Sequence, residues 1–576
     1  MCGIIGKIGK VNCMKDVLEG LKKLEYRGYD SAGVAVFTDE GVKRVRAVGN
    51  ISALEEKLAG TNLDGRLAVG HSRWATNGNV TEKNAHPHRA GRFTVVHNGI
   101  IENAAALKTA YFENDAFESD TDTEVAAKLL DKFYDGDAGR AIRQAQRLMT
   151  GSWALGILCD DCPGTLFAAA NGSPLLIVKT ESGNYIASDA GAAPDPIEVT
   201  KVENCEYAAV TADGYTVYNE NGDALQKAPL AVAAGALSLD KGGYDHYMMS
   251  EIMQQPEAVR RTLEALPDSD FIGDAKEIRL IACGSAYHAG LVGARLFEAV
   301  RRIPARAEIA SEFRYADPII GRETLCIFIS QSGETADTLA ALRLAKEKGA
   351  PTLSIVNVPG SAIATESDRV ILTQAGREIA VATTKAYSAQ LAVFYALALG
   401  RSEALSRLPE AIYTAIAEND GKCRRLAERI AGCRNIFFIG RQLDNAVSQE
   451  GSLKMKEISY LNSQAYAAGE LKHGTISLVE PGSPVIATVT DPAILSKTMS
   501  NLHEVKARGA FTIVITTRAL APGLEADVTL TVPDVGPMLA PSVAVIPMQL
   551  MSYYTAKALG CEIDKPRNLA KSVTVE

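Results

Sequence analysis

Leu342-Arg-Leu-Ala-Lys-Glu-Lys-Gly349-Ala-Pro-Thr-Leu-Ser-Ile-Val356 has a near copy in Leu502-His-Glu-Val-Lys-Ala-Arg-Gly509-Ala-Phe-Thr-Ile-Val-Ile-Thr516, 160 positions later. Each copy reads as the end of an amphipathic helix, a glycine stop and an apolar strand. The likeness continues in Ser367-Asp368-Arg-Val-Ile-Leu-Thr and Ala526-Asp527-Val-Thr-Leu-Thr. Gly284 and Gly440 correspond as strand-to-turn glycines, at an offset of 156. Two copies of one doubly wound α/β unit are expected, each a parallel sheet with right-handed crossovers. We assign them to residues 244–400 and 401–562, with a tail over 563–576. Ligands in such sheets sit at the carboxyl ends of the strands.

The chain ahead of the repeat has a different texture. Short apolar strands such as Gly3 to Ile8, Ala32 to Phe37, Phe93 to His97, Ala154 to Leu158 and Leu175 to Val178 alternate with turns. Helices are expected at Val17 to Leu24 and Thr121 to Phe133. Runs of strands with intervening helices predict an antiparallel α+β layer domain over 1–224. The Ala-rich stretch after Leu225 reads as a linker over 225–243.

At 576 residues the chain is too long for one core. It is 47% hydrophobic and 22% charged, with a net charge of −9. This composition fits a globular protein, and the charge argues against a nucleic-acid partner. The first 16 residues lack a secretory pattern. Val535 to Leu559 is interrupted by prolines and polar residues, so we read it as buried helix and loop and expect no membrane partner. The ten cysteines are scattered. Cys159-Asp-Asp-Cys162 has no second pair at zinc spacing, which fits a reducing, cytoplasmic setting.

Cys2 carries the most chemistry. Removal of Met1 would leave a thiol and a free α-amine on one residue, a nucleophile beside its own base. The alternative is a small apolar thiol opening a strand. Polar clusters at His71-Ser-Arg73-Trp74-Ala-Thr76, Asn84-Ala-His86-Pro-His88, His97-Asn98-Gly99 and Ser119-Asp-Thr-Asp122-Thr-Glu124 exceed what a core needs. Singly they also read as a surface charge, a hairpin turn at Asn98-Gly99 and a helix capping box.

Together with Tyr26-Arg-Gly-Tyr-Asp30-Ser-Ala-Gly33, these segments resemble the N-terminal-nucleophile glutamine amidotransferases. The resemblance implies that Cys2 attacks the glutamine amide carbon and that Asn98 and Gly99 form the oxyanion hole. It places Arg73 on the glutamine carboxylate and Asp122 on its ammonium. Thr76 and His86 would shape the pocket and Trp74 would close it.

In the repeat, Ser330-Gln331-Ser332-Gly333-Glu334-Thr335 follows an apolar strand and opens a helix. Successive N–H groups and hydroxyls there make an anion site. The absence of a nucleotide-loop lysine favours a phosphosugar over ATP. This half resembles the sugar isomerase (SIS) domain pair. Glu450-Gly-Ser-Leu-Lys454-Met-Lys-Glu457, Gly469-Glu-Leu-Lys-His473-Gly474 and the terminal Leu569-Ala-Lys571-Ser-Val-Thr-Val-Glu576 resemble the glutamine–fructose-6-phosphate aminotransferases. That resemblance spans the whole chain.

It implies transfer of the amide nitrogen of L-glutamine to D-fructose 6-phosphate, the entry step of hexosamine synthesis, with ammonia passing internally. Glu457 would move the proton between C1 and C2, with Lys454 beside it. His473 would open the ring, and Lys571 would form a Schiff base with the C2 carbonyl. Ser285, Ser330, Gln331, Ser332 and Thr335 would hold the phosphate. No metal, nucleotide or pyridoxal cofactor is implied, and a homodimer through the SIS half is. Asn77, Ala170, Ala286 and Thr475 depart from the usual family residues. Read from residue types alone, Glu450, Lys454 and Glu457 also suit a solvated helical ion ladder. The rival readings are an SIS-type deglycase or isomerase, and a sugar-phosphate sensor carrying a glutaminase domain.

Overall fold

The structure, a computed structural model, describes residues 2–61, 63–75, 78–229 and 241–574. Much of the assigned linker and Thr76 and Asn77 lie outside them. The chain divides into two compact units, residues 1–239 with 570–575, and residues 240–569.

The first unit is built on two seven-stranded antiparallel sheets. In one, the strand Gly3–Ile8 lies between Leu67–Arg73 and Gly183–Ala187. In the other, Phe93–Ile101 pairs with Gly151–Cys159. Period-two alternation sorts the side chains. Ile4 and Ile8 join Val96, Leu158 and Leu166 in a core between the sheets. Ile5 faces the opposite way, into a cluster with Val17 and Leu21 of the helix Met14–Leu24. Phe93 and Val95 pack on Val125, Leu129 and Ile142 of the helices Asp122–Lys132 and Ala138–Leu148. The expected α+β layers are therefore helix, sheet, sheet, helix. Asn98 and Gly99 do not form a hairpin turn. They lie within the strand Phe93–Ile101, paired with Ala154 and Trp153.

The second unit contains the repeat. Two five-stranded parallel sheets share one strand order. The first runs Ala305–Ile309, Glu277–Ala282, Thr324–Ser330, Thr352–Val356, Arg369–Leu372. The second runs Asn462–Ala467, Asn435–Gly440, Pro484–Val489, Phe511–Thr517, Val528–Val532. The repeated aspartates have one job. Asp368 accepts from the backbone N–H and hydroxyl of Thr352, at 2.9 and 2.8 Å. Asp527 does the same for Thr512, at 2.7 and 2.8 Å. Each clip ties the edge strand to its neighbour. The apolar stretch near the end is the helix Pro541–Ala558, buried along most of its length with Pro547 inside it. Among the described residues no helix is long and apolar enough to cross a membrane.

The helix Tyr247–Met253 has no cap from its own N-terminal neighbour. Its first N–H groups, on Tyr247 and Met248, donate instead to the carboxylate of Asp564, at 2.8 and 2.9 Å. The Asp564 carbonyl also accepts from Val381 N–H, at 3.0 Å. One residue near the chain end thus caps the first helix of the unit. Asp564→Ala should cost about 1–2 kcal/mol, read as a lower denaturation midpoint of the second unit, with Asp564→Asn recovering part of the loss.

Candidate active site

Cys2 stands immediately before the strand Gly3–Ile8. Gly3 pairs with Ser72, and a Cβ on Gly3 would lie 2.6 Å from Ser72 Oγ. That close fit sets the thiol at the end of the strand Leu67–Arg73. The Trp74 N–H donates to Cys2 Sγ at 3.2 Å, and the thiol reaches the Trp74 carbonyl at 3.3 Å. Asp30 secures the same turn by accepting from Ala75 N–H at 2.9 Å. Burial pushes the Cys2 thiol up; the Trp74 N–H and Arg73 offset this only in part. A thiol so placed needs a base to ionise.

A single small cavity brings Cys2 together with Arg73, Trp74, His86, Gly99 and Asp122. Arg73 is 3% exposed, and its guanidinium donates to the Gly78 and Asn79 carbonyls at 3.2 and 3.4 Å. Asp122 accepts from Ile101 N–H at 2.8 Å with one oxygen. Gly99 has φ +114°, and a Cβ there would collide with the Ser152 carbonyl, so the position requires glycine.

His71, His86, His88 and His97 are buried around this cavity, a grouping the sequence reading only partly anticipated. His71 and His86 stack with centroids 4.1 Å apart. The His97 backbone N–H donates to His86 Nδ1 at 3.2 Å, which forces the His86 proton onto Nε2. His86 Nε2 then donates to Thr123 Oγ1, at 3.2 Å. Thr123 Oγ1 also lies 2.9 Å from His97 Nδ1 and so bridges the two rings. Separately, His71 Nε2 donates to Asn98 Oδ1 at 3.1 Å, leaving the Asn98 amide N–H groups for another acceptor. Burial holds all four rings neutral, with His71 and His88 pushed down to about 3. The capping-box reading holds in part. Glu124 reaches back to the Ser119 N–H at 2.6 Å, while Thr121 makes no side-chain cap.

The second unit gathers its own polar centre. The helix Leu443–Ser459 carries Glu450, Lys454 and Glu457 on one face. Lys454 is 1% exposed and lies 3.5 Å from Glu450 and 2.5 Å from Glu457. This is no solvated ladder. Burial works against the Lys454 ammonium, but Glu457 and Glu450 outweigh it and hold it charged above the ordinary lysine range. Glu450 is fully buried and accepts from Ser285 Oγ at 2.9 Å and His288 Nδ1 at 2.8 Å, two residues of the first repeat. Ser285 is thus engaged by a carboxylate. Neither His288 nor Glu450 was among the expected site residues; the i, i+4 spacing of Glu450 and Lys454 was the only signal.

Ser330 ends its strand. Its hydroxyl lies 3.0 Å from Thr335 Oγ1 and accepts from Gly333 N–H at 3.0 Å. Gly333 has φ +67°, and a Cβ there would strike Ser361. Gln331 and Ser332 are half-buried beside them. His473 ends a 3-10 turn, is exposed, and has no hydrogen-bond partner among the described residues. Lys571 is half-buried in the tail segment that groups with the first unit.

A glutamine amidotransferase domain family matches residues 71–193, and the SIS domain family matches twice, at 271–400 and 429–558. A glutamine–fructose-6-phosphate aminotransferase (isomerizing) of Clostridium tetani is 43% identical over 609 residues, covering all of both chains. The chain belongs to this family. Its relative of the same name in Bacillus subtilis is 41% identical over 604 residues, again covering both chains completely. A solved C-terminal domain of the Francisella tularensis glucosamine-fructose-6-phosphate aminotransferase matches with a TM-score of 0.54 and 36% identity. It covers 56% of this chain and 99% of that one. The family resemblance drawn from the quoted motifs is thereby borne out, as are the amidotransferase and paired SIS domains.

The neutral histidines give the first unit an acid limit. Unfolded histidine titrates near 6.5, whereas His71 and His88 titrate at about 3 when folded. Below 6.5 the unfolded chain binds more protons, so the stabilisation present above 6.5 is lost progressively toward pH 3. Each such ring should contribute a slope of up to about 1.4 kcal/mol per pH unit in that window. Urea unfolding followed from pH 7.5 to 4.5 checks this; a flat profile would exclude buried neutral rings.

Proposed function

We propose that this chain moves the amide nitrogen of L-glutamine to D-fructose 6-phosphate with isomerisation, giving D-glucosamine 6-phosphate and L-glutamate. The observation that carries it is the single cavity holding Cys2, Arg73, Gly99 and Asp122, in a chain whose other half is an SIS pair.

At the first site the Cys2 thiol adds to the amide carbon, its proton taken by the α-amine that Met1 removal exposes. Asn98 Nδ2 and the Gly99 N–H meet the developing oxyanion; one such donor is worth roughly 3–4 kcal/mol. His71 fixes which end of the Asn98 amide faces that charge. Arg73 and Asp122 take the glutamine carboxylate and ammonium. His86 shapes the pocket, and Trp74 covers it.

At the second site the Ser330–Thr335 loop, with Ser285, receives the phosphate. Glu457 moves the proton between C1 and C2. Lys454 pairs with that carboxylate, its ammonium 2.5 Å away. His473 opens the sugar ring, and Lys571 forms an imine with the C2 carbonyl. The exposed, unpartnered position of His473 supports its action in a neighbouring subunit of a homodimer. A deglycase or sensor would leave the glutaminase cavity without a purpose.

Product analysis with both substrates should yield a hexosamine 6-phosphate. Cys2→Ala should abolish glutamine-dependent synthesis and spare sugar-phosphate isomerisation; retained synthesis in the pure variant removes Cys2 from the mechanism. Lys571→Arg should lose nearly all synthesis and keep glutaminase activity, and borohydride with fructose 6-phosphate should label the wild-type lysine. Near-normal synthesis without an adduct makes Lys571 structural. Mixed His473→Ala and Glu457→Ala chains should regain part of the activity through hybrid sites. No recovery after verified chain exchange would put both residues in one subunit.

A further inference from the structure

The repeat creates two strand-end crevices, and only one belongs to the reaction above. The other is a cavity of about 290 Å³ at the carboxyl ends of the second sheet. Its lining corresponds to the first crevice position by position. Arg441 to Asp444 follow the strand Asn435–Gly440 as Ser285 to His288 follow Glu277–Ala282. By ladder register, Ser330 pairs with Val356 and Val489 with Thr516, so Thr490 to Ile494 replace Gln331 to Thr335. The facing helix is exchanged too. Leu443–Ser459 supplies Lys454 to the first crevice, and Gly284–Leu296 with its π-turn continuation supplies Glu298, the equivalent residue, to the second.

The chemistry differs in an informative way. The backbone cradle of the first crevice is gone. Pro492 has no N–H, and the Thr490 N–H and hydroxyl are both engaged by Asp444, at 2.9 and 2.5 Å. Three guanidinium groups take its place, those of Arg295, Arg302 and Arg441. Arg441 donates to Asn501 through Nη2 at 2.8 Å, while its Nε–H is buried with no hydrogen-bond partner among the described residues. A buried guanidinium donor left unmade is costly, and a ligand oxygen would satisfy it. Two lining residues also hold positive φ, Arg302 in the left-handed region at +55° and Gln442 at +52° with ψ −123°. Such conformations cost of order 1–3 kcal/mol in non-glycine residues and gather at ligand clamps. The Asp444 carboxylate is already satisfied, whereas Glu298 takes Arg295 through one oxygen at 3.4 Å and Asp491 takes the Ala493 N–H through one oxygen at 2.9 Å, so the other oxygen of each remains as an acceptor for hydroxyls. Guanidinium groups for an anion beside carboxylates for hydroxyls suit a phosphorylated polyol.

We propose that this cavity is a second, non-catalytic site for a hexose phosphate, its phosphate on Arg441 and Arg302 and its hydroxyls on Glu298 and Asp491. The assignment rests on reading the Ser330–Thr335 loop as the substrate phosphate site, and the test separates the two. Glucosamine 6-phosphate is titrated calorimetrically into the full chain without glutamine. Wild type should bind two equivalents per chain. The triple variant Ser330→Ala, Ser332→Ala, Thr335→Ala should keep one. Arg302→Ala and Arg441→Ala should each weaken that remaining equivalent at least tenfold and leave the loop site intact. Arg302 is exposed, so its loss spares the fold. One equivalent in wild type, lost in the triple variant, overturns the second site and upholds the loop. One equivalent that survives the triple variant but not Arg302→Ala upholds the second site and overturns the loop. No binding to wild type overturns both.

Discussion

A lysine ammonium with 1% exposure cannot persist without anions beside it, and Lys454 sets the terms for the centre of the second unit. Taking such a charge out of water costs several kcal/mol even after relaxation. Glu450 and Glu457 offset that cost from one helical turn on either side. Glu450 takes further partners from the other repeat, Ser285 on the oxygen that faces Lys454 and His288 on the second. The two repeats are thus joined at their centre by a charge network inside a largely apolar core. Removing any one member leaves an uncompensated buried charge. The helix face approaches closely because Gly451 carries no side chain; a Cβ there would run into Met548. The equivalent position in the other crevice holds Glu298, which lies 43% exposed in its side chain. Only one of two like-shaped crevices therefore has a buried carboxylate and ammonium pair available for proton transfer.

The first unit solves a related problem without charge. Its Cys2 thiol lies near four buried neutral histidine rings, in a cavity that Asp122 and Arg73 also line. The rings act through tautomers. His86 is fixed by a backbone N–H, Thr123 bridges it to His97, and His71 orients Asn98. This makes a donor array that is set before any substrate arrives.

Much of this was legible in the sequence where the signal was local. The Asp368 and Asp527 clips explain why the repeat survives at those positions, since each aspartate closes a hydrogen-bonded pair only 15 or 16 residues away. Gly3–Ile8 was read to the residue. Asn98-Gly99 carries the strongest local turn signal, yet its strand neighbours override it; pairing with Gly151–Cys159 decides, and that pairing is invisible to a short window. The same spacing of Glu450, Lys454 and Glu457 serves a wet face or a dry one. What settled it was the helix of the other repeat, 162 to 165 positions away. His71 and Asn98, 27 apart on different sheets, could not be joined by any period.

The strand after Cys2 has neighbours on both edges, Leu67–Arg73 and Gly183–Ala187. The second of these is made last. During synthesis at roughly 5–20 residues per second, the chain start waits about 10–40 s before both edges can be covered. For that interval the strand that follows Cys2 has only its Leu67–Arg73 edge to pair with. The order of strands thus leaves the strand beside Cys2 half-paired for much of the first unit's synthesis, and Gly183–Ala187 completes it.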